Sequence, residues 1–560
     1  MMRRVMSFAS SGSLLLVLTA LGCGSAGDAA GAGAPSGNSS NSGNNGSVTG
    51  GGSSSASNSA GSGTAPGGIP GNPNLGTGGG GGSGGAPIIV VPPEKELEAS
   101  FLAPVTTGKY VFSANPGSGR VAVIDADTYA VQLFNAGFAP TYLTAIPHDR
   151  GALVINAQSH DVTWFEVSGE KVSLVDATLP VHADANAWAT SPDGRFAIAW
   201  TSTPDDQMLD PTAGSQTITV IDLEKRSAKQ LTVGFHPTQV VVDDQSRRAF
   251  VVSDNGVSTV ELGDESETTL LAAVSEDPLE DAGTRDVSIL PDGSFAIVRI
   301  EGSSKLRVVD LSVEDSLVAY DLGAPITDLD LSKDGKLALA AVPGIGEVVI
   351  MNMPPTAGAG AFEHVKIPGE ITSSISLSDG SELALLFQNG DDNSHLTMLD
   401  LREGQGRALH SVDLKGPVKA AFAAPGAASA ITFQKPIIGS TKAGLFSGVP
   451  TLAKRSAKIV GTEAVPKALA FDEAGKYALV TVGDEKTPQR GVYRVRLDTM
   501  QEDFLELASP PAPGATGIVE GVGRGFVAQQ HPEGRITFVD LDTARAHTIT
   551  GFELAARILQ

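Results

Sequence analysis

The chain has 560 residues, with 39 Lys and Arg against 63 Asp and Glu and a formal net charge of −24 at pH 7. So acidic a surface is unsuited to wrapping nucleic acid or docking on anionic lipid. One cysteine excludes intrachain disulfides and thiolate clusters, and aromatic residues at 5% leave little for base-stacking platforms.

The first predicted element is a signal peptide over 1–22. Met1-Met2-Arg3-Arg4 is positive, and Leu14-Leu15-Leu16-Val17-Leu18-Thr19-Ala20 is apolar but too short to span a bilayer comfortably. The segment ends on Ala20-Leu21-Gly22-Cys23, which resembles the lipobox of bacterial lipoproteins, with alanine where leucine is commonest. The resemblance implies cleavage before Cys23, a diacylglyceryl group on its sulfur, and acylation of the new N-terminus. It implies an address in the bacterial cell envelope. Gly24 in place of an aspartate favours the outer membrane, with the domain facing the periplasm or the medium. Each buried methylene adds about 0.8 kcal/mol, so several acyl chains make a stable anchor. Ordinary secretion with an incidental cysteine is the alternative. No later apolar run reaches about 18 residues, so no transmembrane helix is expected.

Residues 23–87 are nearly all Gly, Ser, Ala, Asn and Pro, and Asp28 is the one charge before Glu94. Such a composition buries too little apolar surface to offset ordering entropy, which predicts a disordered linker. As a flexible coil it would reach about 45 Å, enough to hold a domain clear of lipid headgroups.

Residues 88–560 read differently. Short β-branched runs alternate with turn residues, and helical periodicity is nearly absent. A unit recurs. A first strand enters a turn such as Ser191-Pro192-Asp193-Gly194, Leu290-Pro291-Asp292-Gly293, Ser332-Lys333-Asp334-Gly335 or Leu377-Ser378-Asp379-Gly380. An apolar second strand follows, then a third ending in an acidic mark, as in Val220-Ile221-Asp222-Leu223, and a more polar fourth. The marks Asp125, Glu166, Asp222, Glu261, Asp310, Asn352, Asp400, Asp498 and Asp540 recur about every 40–50 residues, with a degenerate copy between Asp400 and Asp498. The marks themselves read as turn formers that bond local backbone. This predicts an all-β chain, a β-propeller of about ten four-stranded blade-like repeats, whose ring size is left open. The first unit begins in the sequence at its second strand near Lys109, and either Glu98–Pro104 or Gly551–Leu559 would complete it.

Phe235-His236-Pro237-Thr238-Gln239, Ser191-Pro192-Asp193-Gly194-Arg195 and Ile218-Thr219-Val220-Ile221-Asp222 resemble successive pieces of the YVTN-type propeller repeat. Each copy is partial, and the Tyr-Val-x-Asn element reads well only over Tyr110–Asn115. The resemblance implies a fold and not an activity.

Catalytic motifs are few. The chain lacks the G-x-S-x-G, H-E-x-x-H, P-loop and EF-hand patterns, and Gly521-Val522-Gly523-Arg524-Gly525 reads as a turn. Asp205, Asp206 and Asp210, or Asn389, Asp391, Asp392 and Asn393, offer too few oxygens for the six to eight that calcium takes, and read as solvated loops. His182 and His236 occupy matching repeat positions, with Asp184 close in sequence, and make a candidate metal site. The loops entering successive first strands converge on one channel mouth. Thr141, Asp184, Asn186, Thr238, Gln239, Arg285, Asp286, Asp328, Lys419 and Lys467 are therefore candidate ligand-binding residues. No cofactor motif is read. The functional expectation is an envelope-anchored binding or scaffolding module for a protein or polar ligand. The alternative is a propeller enzyme, lactonase-, lyase- or redox-like, with its site at the channel mouth.

Overall fold

Each repeat is set by its turns. The Ser191 hydroxyl donates to Asp193 at 2.6 Å and accepts the Phe196 N–H at 2.8 Å, while Asp193 accepts the Arg195 N–H at 2.9 Å. Gly194 closes the turn at φ 70°, a conformation that a Cβ disfavours. Ser332, Asp334 and Gly335 repeat the arrangement. The third-strand acids do bond local backbone. Asp125 accepts the N–H groups of Asp127 and Thr128 at 2.8 and 3.0 Å, and Asp222 those of Glu224 and Lys225, both at 3.0 Å.

The computed structural model describes residues 103–552, apart from 203–214, 278, 315, 356–361, 369–371, 381, 389–392, 403–406, 438, 452–454 and 488, together with the backbone of Leu16–Val17. The predicted signal peptide, those two residues aside, lies outside the described residues, as do Cys23, the linker, Asp205, Asp206, Asp210, Asn389, Asp391 and Asp392.

Ten antiparallel sheets follow one another along the chain, each built on four consecutive strands, and they form the blades of a β-propeller ring. Blade 3 is typical: Ala187–Thr190, Phe196–Trp200, Thr217–Asp222 and Ser227–Thr232, paired in that order. All five residues of Phe196–Trp200 are buried, whereas Ser227–Thr232 is largely exposed. The second strand is thus apolar on both faces because neighbouring blades cover both, and the outer strand is polar because one edge meets water. Phe196, Ile198 and Trp200 share a core with Val251 and Val260 of blade 4, and such cores repeat around the ring.

Of the two segments that could have completed the first unit, neither supplies its inner strand among the described residues; the strand lies just after the first of them. Blade 1 has its own inner strand, Val105–Thr107, and blade 10 ends on Ala546–Thr550. The ring closes by packing: Val111 and Ile124 of blade 1 share a core with Val519, Phe526, Phe538 and Phe552. Arg524 adds bonds to the carbonyls of Ala126 and Asp127, the latter at 2.8 Å.

The degenerate repeat is blade 8: Val418–Ala423, Ser429–Gln434, Gly444–Pro450 and Lys458–Thr462. Its third-strand mark is Pro450, paired with Ser429 as Asp222 is paired with Phe196. In blade 9 the mark is Arg496, opposite Tyr477, so Asp498 lies two residues too late.

Inner strands run from a loop face, which carries the connections between blades, to a turn face. On the turn face Arg195 clasps Asp222 of its own blade at 3.0 Å and Asp264 of the next at 3.2 Å.

Candidate functional site

The loop face is shaped by bulges at the start of the inner strands. In blade 2 the register passes from Pro140 to Tyr142, leaving Thr141 without a partner. Blade 4 skips Thr238, blade 8 skips Lys419 and blade 9 skips Lys467. Proline stands at or just before each bulge, which suits it, because a strand's first residue and a bulge do not need the missing N–H. A bulge re-aims the extra side chain. Two threonines and two lysines are thus held out of register at one mouth, all four among the residues singled out from sequence. Lys467 meets Asp484 at 3.5 Å.

The two histidines occupy unlike environments. His182 is buried, with Nδ1 2.9 Å from the Thr219 hydroxyl and Nε2 3.2 Å from that of Thr201. Burial lowers its pKa to about 4 against an opposing pull from Asp184, so the ring is neutral at pH 7. Asp184 itself is exposed, at φ 65°, and its carbonyl accepts from Thr201. His236 is held by Asp254, whose carboxylate oxygens lie 3.2 and 3.3 Å from Nδ1. Its Nε2 is buried and without a partner. The backbone at His236 has φ 54°, the same as Ala139 in the matching Gly-Phe-Ala-Pro-Thr segment of blade 2. The loop conformation therefore does not depend on the imidazole. Among the described residues, no three His, Cys, Asp or Glu side chains gather so as to hold a metal ion. His182, His236 and Asp184 are not brought into such a cluster.

Most other candidates are held by partners within the protein, and two of them, Arg285 and Asp328, join neighbouring blades. Asn186 pairs with both backbone groups of Ser202, at 2.7 and 2.6 Å. Arg285 donates to the Asp254 carbonyl at 2.9 Å and to Glu280 at 2.7 Å, and Glu280 also takes a two-pronged bond from Arg307. Burial pushes the Glu280 carboxyl up, but hydrogen bonds and charge from Arg307 and Arg285 outweigh it and hold the pKa at about 2. Asp286 pairs with Arg299 at 3.1 Å. Asp328, 3% exposed, accepts the Ile375 N–H of the next inner strand. Gln239 is half-buried and follows the bulge at Thr238. Glu280 and Asp254 escaped the sequence reading because they lie in connections of no repeated pattern. Asn393, from the second acidic loop, accepts the His395 N–H at 2.9 Å. The glycine-rich segment is a turn: Glu520–Val522 form a single 3₁₀ turn ended by Gly523 at φ 61°.

The fold is thus a ten-bladed β-propeller with a loop face of threonine, lysine and linked acid–base pairs. No family model matches the chain, and no curated protein matches it. Similar solved structures include a dihydro-heme d1 dehydrogenase NirN in complex with DHE, 14% identical over 76% of this chain and 78% of that one, with a TM-score of 0.41. A eukaryotic initiation factor is 11% identical over 80% of this chain and 97% of that one, TM-score 0.45. The Cps50 (Swd1) β-propeller domain of Myceliophteria thermophila is 10% identical over 60% of this chain and 94% of that one, TM-score 0.33.

Proposed function

We propose that the chain is a lipid-anchored protein of the bacterial outer membrane that displays a propeller of the YVTN-repeat type as a binding or scaffolding module. Its ligand is a protein or a polar molecule engaged by the loop face. The observation that supports this reading is the recurring bulge, which sets Thr141, Thr238, Lys419 and Lys467 outside the ladder at one mouth. The lipobox resemblance at Ala20–Cys23 and the Gly/Ser-rich linker supply the anchor and the reach. The test is photo-crosslinking in intact cells from position 238. A discrete adduct that disappears on Lys419→Ala with Lys467→Ala supports the reading. An adduct indifferent to those substitutions, or none, counts against it.

A second reading, a propeller enzyme, draws on His236. Its Nδ1 lies against the Asp254 carboxylate, a pairing that orients an imidazole, while the buried Nε2 would reach a substrate only after the surrounding loop moved. Turnover of any lactone or related substrate that is abolished by His236→Ala and weakened by Asp254→Asn would favour it. Native mass spectrometry with elemental analysis would reveal a bound metal, and its loss on His182→Ala or His236→Ala would locate it.

A further inference from the structure

On the turn face, the boundary between blades 8 and 9 lacks the clasp described at blade 3. The Thr451 N–H donates to the Ala428 carbonyl at 3.1 Å, as the Leu223 N–H does to Arg195 at 2.9 Å. Ala428 therefore stands where Arg195 stands, and Pro450 where Asp222 stands. Both partners of the ion pair are gone. In their place is a groove of about 900 Å³, and Ala428 and Pro450 line it. At the blade 7–8 boundary, where Asp400 survives and takes Arg402 as its partner, the corresponding cavity is about 110 Å³.

The groove has a definite chemistry. Pro450, Leu497 and Met500 give it apolar walls, and Arg455, Lys458 and Lys476 bring three cations to it. Lys458 and Lys476 make exposed pairs with Glu502 and Asp542, at 3.2 and 3.3 Å, of a kind that contributes little and exchanges readily. The exposed guanidinium of Arg455 bonds the Asp498 carbonyl at 3.3 Å, which leaves its fork for an anion. Ser429, also in the lining, is 3% exposed, and its Oγ has no hydrogen-bond partner. That oxygen is closed off from the groove, so the Ser429 hydroxyl makes no contact with a ligand lying in it. The lining also holds Asp498 and Glu502, so three cations stand against two acids around the groove.

We infer that this groove binds an amphiphilic organic anion, an apolar body bearing a carboxylate or a phosphate. Its volume falls in the range of small-molecule sites, about 300–1,000 Å³. The apolar portion lies along Pro450, Leu497 and Met500, and the anionic head takes the place of the lost Asp222 equivalent, facing Arg455. The site is independent of the loop-face ligand, since it lies on the opposite side of the ring.

Isothermal titration of the full chain with dodecanoate, dodecyl phosphate, inorganic phosphate and neutral dodecyl maltoside, each below its micelle concentration, tests the inference. One anion is expected to bind at one per chain, at least about tenfold tighter than dodecyl maltoside or inorganic phosphate, and the tighter of the two heads identifies the source. Arg455→Ala is expected to weaken it about tenfold with the thermal midpoint unchanged. Ala428→Arg with Pro450→Asp rebuilds the clasp and is expected to abolish binding. Failure of both anions, equal affinity for the neutral amphiphile, or undiminished binding in the Arg455→Ala chain would each overturn the inference.

Discussion

The Asp328 carboxylate accepts the backbone N–H of Ile375 at 2.5 Å, joining the inner strands of blades 6 and 7. Asp330 does the same for Leu377 at 2.9 Å, and the Thr327 hydroxyl donates to the Ser373 carbonyl. Inner strands have a free edge, and here the preceding blade supplies partners that the ladder does not. Acid on this strand is thus a structural need before it is a feature of any ligand site.

Asp328→Ala is therefore expected to destabilise the ring by about 1–3 kcal/mol, because it strands a buried N–H. Asp328→Asn keeps an acceptor oxygen and should lose less. Urea midpoints of the two variants check this, and equal midpoints for Asp328→Ala and the parent would refute it.

Ring closure gives a second expectation. Phe552, 9% exposed, packs between blades 10 and 1, so Phe552→Ala should cost about 3–5 kcal/mol if the whole ring unfolds cooperatively. Arg524→Ala should cost less, about 1–3 kcal/mol, through the carbonyls it leaves. A thermal midpoint unaffected by Phe552→Ala would mean that closure does not carry stability.

A buried histidine and a half-buried glutamate titrate with opposite consequences. His182 has a pKa lowered to about 4 by burial, so its contribution is intact above the unfolded value of about 6.5 and is lost as pH falls toward 4. Between pH 7.5 and 5 this amounts to about 2 kcal/mol, and His182→Gln should remove it. Glu520 is the reverse. Burial, helped by Glu473 and Asp472, raises its pKa to about 7, although the Glu473 N–H bonds it and opposes the rise. Its stabilising effect is full below the unfolded carboxyl range and is lost as pH rises through 7. Glu520→Gln should then stabilise the chain at pH 8 by about 1–2 kcal/mol, allowing for solvent screening, and leave it unchanged at pH 4. Denaturant titrations across pH separate the two, and a Glu520→Gln effect equal at both pH values would contradict the assignment.

The repeat was legible because its signals are local. Ser191, Asp193 and Asp222 each accept backbone N–H groups within a few residues, so their spacing survives in the sequence. Blade 8 obscured itself by losing both signals at Ala428 and Pro450, and blade 9 shifted its mark by putting Arg496 in that place. The inner strand of blade 1 is three residues long, Val105–Thr107, too short for an alternating pattern to announce it. The loop-face positions were legible in part: prolines at strand entry mark the bulges that hold Thr141, Thr238, Lys419 and Lys467. What could not be read is which face residues are committed elsewhere. His182 and His236 share a repeat position, yet one meets the hydroxyls of Thr219 and Thr201 and the other the carboxylate of Asp254. Those partners lie on other strands and connections.

Blade 8 also carries a correctable turn. Ala427 sits at φ 53°, in the place that Gly194 takes at φ 70° in blade 3. Left-handed backbone costs an L-residue about 1–2 kcal/mol, so Ala427→Gly should stabilise the chain by up to about 1 kcal/mol after the entropy of glycine is set against it. A lowered thermal midpoint in that variant would contradict the turn geometry.

The central claim is a propeller held at the envelope by a lipid on Cys23. The direct measurement is metabolic labelling of the full chain with a clickable fatty acid in a Gram-negative host, followed by membrane fractionation, beside Cys23→Ala. The account predicts a labelled protein in the outer-membrane fraction and an unlabelled Cys23→Ala chain that leaves it. An unlabelled parent chain released as soluble protein would contradict it.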